Sequence, residues 1–291
     1  MSIDILQEKI RKLKNPGILE LGFSTTAIPA SFCENVSDAE ALGNYCKSLL
    51  SDLKGNIAAI RVNFSAFMLY GPEGCFQLQS LLRQGRELGY YILLDAPEIL
   101  SVDAAKRIAD TLLSPESDYV CDGVVISGYL GTDVIKPFLP YCKKEKKSVF
   151  VVARTANKSA AELQDLLSGS RLVHAAAADY VNRCGAGTEG KLGYKQLGLL
   201  VSATAADSLR SLRGKYPGVF LLVDGYDYPG ANAKNCANAF DKYGHGAAVC
   251  AGSSITGAWN TAENAREDPS AQARNAIERM KKNLSRYIQI L

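Results

Sequence analysis

The sequence predicts an α/β fold, a (β/α)8 TIM barrel with an extra N-terminal helix, and three observations carry that reading. Short apolar runs rich in β-branched and aromatic residues recur eight times along 291 residues, each too short to make a good helix. Stretches of helical period with recognisable caps separate them. The runs are apolar on both faces, as strands of a parallel sheet covered by helices are.

Taken in order, residues 3 to 14 read as a helix packed outside the barrel, and the first strand follows at 17 to 22 (GILELG). Ser37 with Glu40 makes a capping box ahead of Ala41, Leu42, Tyr45, Cys46 and Leu49,. The second strand is 57 to 63 (IAAIRVN). Pro72 then starts, and Gly89 stops, a helix carrying Phe76, Leu81 and Leu82,. Strands three, four and five fall at 90 to 95 (YYILLD), 121 to 127 (CDGVVIS) and 148 to 153 (SVFVVA). HAAAADYVNR reads as helix, ahead of strands six to eight at 198 to 203, 218 to 223 and 246 to 251. The last helix opens at Asp268-Pro269 and sets Ile277, Met280, Leu284, Ile288 and Leu291 on one stripe,. An open doubly wound sheet would leave room for a dinucleotide fingerprint after its first strand, and Glu20-Leu21-Gly22-Phe23-Ser24 is not one,. With no repeat, linker or low-complexity tract, residues 1–291 are expected to form a single barrel domain.

Composition narrows the function classes. Thirty-three Lys plus Arg stand against 30 Asp plus Glu, a formal charge of +3, with 47% apolar residues. That small, evenly spread charge gives no basic face for nucleic acid. No apolar run approaches the ~20 residues of a bilayer crossing. Eight cysteines at 33, 46, 75, 121, 142, 184, 236 and 250 include no C-x-x-C pair. With a polar start they point to free thiols in a reducing, cytoplasmic setting, and no metal or cofactor is expected.

Several motifs have plain structural explanations. Gly185, Gly187, Gly190 and Lys191 nearly spell a phosphate-binding loop, but Leu192 stands where Ser or Thr belongs and a helix, not a strand, precedes it,. A mobile connection is the expectation. The run Lys143, Lys144, Glu145, Lys146, Lys147 suits a helix end,. His174 and His245 have no Asp or Cys at a catalytic spacing, while Trp259, Tyr180, Tyr194 and Tyr287 read as packing residues,.

Polar residues at the C-terminal ends of barrel strands carry more weight, because they project into the mouth where such folds do their chemistry. Arg61 and Asn63 end strand two; Asp95 and Glu98 follow strand three; Ser127 and Tyr129 follow strand four. Arg154 ends strand five, and Asp224 and Asp227 follow strand seven. These are the candidate pocket.

Local matches spread over most of the chain bring in a resemblance: SIDILQEKIRKLKNP at 2 to 16, YGPEG at 70 to 74, YLGTDVIKPFL at 129 to 139, VFVVARTANKSAAELQDLL at 149 to 167, LVSAT at 200 to 204 and FDKYGHGAAV at 240 to 249. In these segments the sequence resembles the orotidine 5'-monophosphate decarboxylases, in their longer bacterial branch. The resemblance implies a (β/α)8 barrel, a carbon–carbon lyase of pyrimidine biosynthesis, and a dimer in which each active site borrows a residue from the other subunit.

The family's site residues are carried over only in part. Its D-x-K-x-x-D motif after strand three aligns with Asp95-Ala96-Pro97-Glu98-Ile99-Leu100, so the first acid is kept, Pro97 replaces the proton-donating lysine, and Leu100 replaces the acid that reaches across the dimer. Arg61 stands for the lysine that ends strand two, leaving Asp95 and Arg61 as the nearest counterparts of the catalytic set. Gly22 takes the place of the ribose-contacting Asp. Pro229, in DGYDYPGAN, and Ser253, in CAGSSITG, fall where the family grips phosphate, and neither segment contains Lys or Arg. Exchanging cations for Asp224 and Asp227 turns attraction for a phosphate dianion into repulsion.

Three readings stand side by side. The first is a family barrel that has lost decarboxylation and acts as a binding or partner subunit, as a homodimer or a heterodimer with a related decarboxylase, with a small-molecule ligand. The second is an active orotidine 5'-phosphate decarboxylase with a rearranged site, in which some other lysine, for example one of the 191 to 195 loop, reaches the mouth. The third is a different enzyme using Asp95, Glu98, Asp224 and Asp227 for a divalent cation or a cationic substrate.

Overall fold

A computed structural model describes residues 1–23, 27–261 and 268–291. Strands β1 (Gly17–Leu21), β2 (Ala59–Asn63), β3 (Tyr91–Asp95), β4 (Gly123–Ser127), β5 (Ser148–Arg154), β8 (Leu197–Ser202), β9 (Leu221–Asp224) and β10 (Ala247–Ala251) close into a barrel in the order β1-β10-β9-β8-β5-β4-β3-β2. A small antiparallel hairpin, β6 (Leu167–Ser168) and β7 (Arg171–Leu172), follows β5. Eight short apolar runs thus make eight parallel strands, because helices cover the outer face of each and side chains fill the inside.

Among the described residues the helices are α1 (Ser2–Leu13), α2 (Asp38–Asp52), α3 (Phe64–Met68), α4 (Gly71–Glu87), α5 (Val102–Leu113), α6 (Leu139–Lys144), α7 (Val173–Cys184), α8 (Ala206–Lys215), α9 (Ala233–Ala237), α10 (Ser253–Thr256) and α11 (Pro269–Ser285). Ser37 caps α2 by accepting from the Glu40 N–H at 3.2 Å,. No helix among the described residues is long and apolar enough to cross a membrane.

The register sets the polar ends of the strands on one rim. Glu20 pairs with Arg61 across β1 and β2, Asn63 with Asp95 across β2 and β3, and Ser202 with Asp224 across β8 and β9. The opposite end is closed by α1. Ser2 Oγ meets the Tyr91 hydroxyl at 2.8 Å, the Ile3 N–H donates to Gln196 Oε1 at 2.9 Å, and the Gly246 N–H donates to Gln7 Oε1 at 2.9 Å.

That floor corrects one expectation. The Gly185 to Lys195 segment is tied down, since the Asp4 carboxylate accepts from the backbone N–H groups of Lys191 (2.9 Å) and Leu192 (3.1 Å). Thr188 is buried and its hydroxyl donates to the Gly185 carbonyl at 2.6 Å. The glycine-rich turn holds an anion, but the anion is the chain's own. Burial opposes ionisation of Asp4, yet the donors from Leu192 and Lys191, with the N-terminal ammonium, hold its carboxyl below the ordinary value,.

Three packing expectations also change. Phe76 faces outward on α4 and is 62% exposed. The terminal helix stops at Ser285, so Leu291 leaves the buried stripe and its terminal oxygen accepts from Arg11 Nε at 3.3 Å, while Ile288 stays buried. Tyr287 is likewise exposed. Trp259 packs against the core, its indole N–H donating to the Ala27 carbonyl at 3.3 Å.

Candidate functional site

Arg61 points into the barrel mouth from the middle of β2, between Ala59 and Asn63 on the same face,. Its guanidinium is almost fully buried. Nε donates to Asp95 Oδ1 at 2.7 Å, Nη1 donates to Asp224 Oδ1, and Glu20 Oε1 lies 3.6 Å from Nη1. One cation therefore sits among three carboxylates from β1, β3 and β9.

Burial alone would depress the Arg61 pKa, but Asp95, Asp224 and Glu20 together hold it well above the usual arginine value,. Burial raises the Asp95 pKa despite its bond to Arg61, with Asp224 adding to the rise. Glu20 is pushed up to about 7, first by burial and then by the charges of Asp224, Asp95 and Asp227, with Arg61 opposing. The arrangement holds one permanent cation that cannot give up a proton near neutrality and one carboxyl that exchanges protons there.

A cavity of about 340 Å³ opens beside this cluster, lined by Glu20, Phe23, Asp224, Tyr226, Asp227 and Cys250 among others. No lysine or arginine is among the described residues that line it. Gly225 turns the chain away from β9 with φ +74°, and a Cβ there would lie 2.7 Å from Ala156 Cβ, so only glycine fits,. The turn brings Asp227 to the start of α10, where its Oδ2 accepts from the Gly252 N–H at 2.8 Å and the Ser254 N–H at 3.2 Å. Ser253, at the predicted phosphate position, adds its hydroxyl at 3.4 Å. Pro229 is exposed on the same turn.

Gly22 borders the cavity, and a side chain there would overlap Asn63, whose Cβ would stand 2.6 Å from a new Cβ. Asn63 is committed elsewhere: its Oδ1 accepts from the Ala66 N–H at 3.2 Å and caps α3. Glycine at 22 and asparagine at 63 are thus a steric pair.

The remaining candidates do not converge on the cavity. Glu98, Ser127 and Leu100 are exposed, and Pro97 is half-buried outside the cavity lining. The Tyr129 hydroxyl donates to the Ala153 carbonyl. Arg154 forms a two-pronged pair with Asp165, Nε to Oδ1 at 2.9 Å and Nη2 to Oδ2 at 2.8 Å, and borders a separate cavity with His174. Asp165 also lies 3.3 Å from His174 Nδ1, which the β6–β7 hairpin brings back beside it.

Glu20 was not singled out by sequence reasoning, although a lone acid inside an apolar strand is a recognisable signal, because inward-facing strand positions are otherwise apolar. Cys250 gave no signal at all. Among the described residues no group of three or more His, Cys, Asp or Glu side chains is arranged to hold a metal ion. Glu20, Asp95 and Asp224 close on Arg61 instead, which leaves the divalent-cation expectation without a ligand set. Lys191 and Lys195 sit on the connection leading into the N-terminal end of β8, the end of the barrel away from the mouth; Lys195 Nζ donates to the Asn182 carbonyl at 2.9 Å. Of the lysines that could reach the mouth, those of this loop therefore do not.

Comparison with known proteins agrees with this architecture. Residues 38–268 match the model of the orotidine 5'-phosphate decarboxylase / HUMPS family. The chain is 25% identical over 286 residues to an orotidine 5'-phosphate decarboxylase of Clostridium novyi, covering 98% of each chain. It is 28% identical over 281 residues to one of Clostridium perfringens, covering 95% of this chain and 96% of that one. Among solved structures, Leishmania donovani OMP decarboxylase superposes with TM-score 0.76 at 24% identity, covering 97% of this chain and 98% of that one. Leishmania donovani UMP synthase superposes with TM-score 0.77 at 25% identity, covering 97% of this chain and 56% of that one. With the barrel, its closed floor and nearly full-length similarity in agreement, the chain belongs to the orotidine 5'-phosphate decarboxylase / HUMPS family.

Proposed function

We propose that this chain is a member of the family that has lost decarboxylation of orotidine 5'-phosphate and acts as a cytoplasmic, single-domain binding or partner subunit. One observation carries the reading: among the described residues the sole cation beside the cavity is Arg61, locked among Asp95, Asp224 and Glu20. Decarboxylation leaves a carbanion that must receive a proton, and Pro97 stands where the family's lysine delivers it. A guanidinium held above its usual pKa does not replace that donor. Losing a sole general acid lowers the rate by about 10²- to 10⁴-fold.

A partner role is supported by apolar side chains exposed on the segments that follow β2, β3 and β4. Met68, Leu69, Phe76, Leu100, Val102 and Leu130 are each about half exposed or more. Such residues on neighbouring connections favour an interface, with a second copy or with a related decarboxylase. Leu100 occupies the place of the acid that crosses the family's dimer, so a partner's site would receive an apolar side chain there.

The names of the relatives favour the second reading, retained decarboxylation. Incubation of the purified protein with orotidine 5'-phosphate, followed by ultraviolet absorbance, separates the two: the proposal expects the uncatalysed rate, and turnover overturns it.

A further inference from the structure

We propose that the chain carries a second ligand site, between the end of β5 and the start of α8, which takes the phosphate group of a small molecule against His174 and the first turn of α8. The site goes beyond the proposed function. Its cavity, of about 390 Å³, shares no lining residue with the mouth cavity among the described residues.

His174 supplies the first observation. It is only 3% exposed, yet it lines this cavity. Nδ1 lies 2.9 Å from the Gln164 carbonyl, which can only accept, so Nδ1 carries the ring proton; Asp165 Oδ1 stands 3.3 Å from the same nitrogen,. Among the described residues the ring's hydrogen bonds run through Nδ1 alone, which leaves Nε2 as its open polar atom. Asp165 is closed onto Arg154 by two hydrogen bonds, and the remaining donor of Arg154, Nη1, goes to the Thr155 carbonyl. That ion pair spends its charges on itself, so Asp165 orients the imidazole without presenting an unopposed charge to a ligand. A buried imidazole held at one nitrogen and open at the other is built to meet a ligand, since a packing residue gains nothing from an unpaired polar atom.

The helix supplies the second observation. α8 runs for ten residues, and its N-cap, Ala205, has no side chain able to accept a hydrogen bond. The first N–H bonded within the helix is that of Leu209, to the Ala205 carbonyl at 3.0 Å. The N–H groups of Ala206, Asp207 and Ser208 are thus left without a helix acceptor, and all three residues line the cavity,. The Asp207 side chain does not close the turn, because it is 97% exposed and pairs with Arg210 at 3.3 Å. The Thr204 hydroxyl is spent on Ser202 Oγ at 2.7 Å. Three backbone donors at the positive end of a helix match the several oxygens of a phosphate. Nε2 of His174 meets such a group in either ring state, donating as imidazolium or accepting from a P–OH as neutral imidazole.

Amide and imidazole NMR of the whole protein tests this, with inorganic phosphate and ribose 5-phosphate titrated in turn at pH 7 and constant ionic strength. The site predicts saturable shifts centred on Ala206, Asp207, Ser208 and the His174 ring, with half-saturation below about 10 mM. His174→Asn keeps a side-chain donor near the position of Nδ1 and removes Nε2, and should weaken binding by about fivefold or more. Ala205→Asp supplies the missing cap and sets a carboxylate in the seat; it should abolish binding while the thermal midpoint holds or rises. Tighter binding of ribose 5-phosphate assigns the site to a phosphate ester and equal affinities assign it to the free ion; both support the proposal. Shifts that are absent or fail to saturate by about 50 mM overturn it, as does unchanged affinity in either folded variant. Should His174→Asn fail to fold, Ala205→Asp decides alone, and retained binding overturns the proposal.

Discussion

Arg61 Nε lies 2.7 Å from Asp95 Oδ1, and the same guanidinium reaches Asp224 three strands away around the barrel. The cation is what allows two largely but not fully buried carboxylates to face each other. Removing it in Arg61→Met should destabilise the fold by about 3–5 kcal/mol, because uncompensated buried charge is left behind. Denaturant titration checks this, and the loss should shrink as pH falls, because burial raises the carboxyls of Glu20 and Asp95 and both take up protons more readily than free carboxyls,. A loss below about 1 kcal/mol would mean that the cluster does not hold the mouth together.

Glu20 gives a pH-dependent signature. Its carboxyl titrates near 7 in the folded chain against an ordinary 4.5, so the folded state binds the proton more tightly than the unfolded state does. Its contribution is complete below pH 4.5 and is lost as pH rises to about 7,. Glu20→Gln should therefore match the wild type near pH 4.5 and exceed it above pH 7, by at most about 3 kcal/mol. Thermal melts across that range read the difference.

Asp4 is expected to pin the barrel floor. Asp4→Ala removes the acceptor from the N–H groups of Lys191 and Leu192, which should lower stability by about 1–3 kcal/mol. Hydrogen exchange at Lys191 and Leu192 should accelerate while exchange in the barrel strands follows the global loss. The wild-type advantage holds above about pH 4 and is lost below it, as the Asp4 carboxylate protonates.

The strands were legible because eight runs such as IAAIRVN and SVFVVA are apolar on both faces, which only a covered parallel sheet explains,. Asp95 and Asp224 were legible as strand-end polar residues; Arg61 was expected at the end of its strand and lies at its middle, and the geometry joins all three. Glu20 was missed because it precedes the strand end, within an apolar run, and its meaning depends on the register that sets it against Arg61. The role of Asp227 depends on the turn at Gly225, and that of Asp4 on a contact 187 positions along the chain, neither of which local pattern encodes. Phe76 sat on the helical stripe with Leu81 and Leu82, yet it faces outward; periodicity fixes a face only to within a residue or so when the stripe is short,.

That outward Phe76, with Leu69 and Leu100, bears on association. Phe76→Glu combined with Leu100→Lys should weaken self-association, or association with a related decarboxylase, by tenfold or more, since apolar anchors dominate interfaces. Sedimentation velocity across a concentration series reads the change. Identical sedimentation of variant and wild type would remove this face from the partner surface.

The central claim is that, among the described residues, the mouth holds no lysine in place of the family's proton donor, and that Glu20, bound up with Arg61, does not stand in for it. A single-turnover experiment tests it most directly, with enzyme in excess over carboxyl-labelled orotidine 5'-phosphate and trapped label as the readout. The account expects label release at the rate seen without protein; release that scales with enzyme concentration would contradict it.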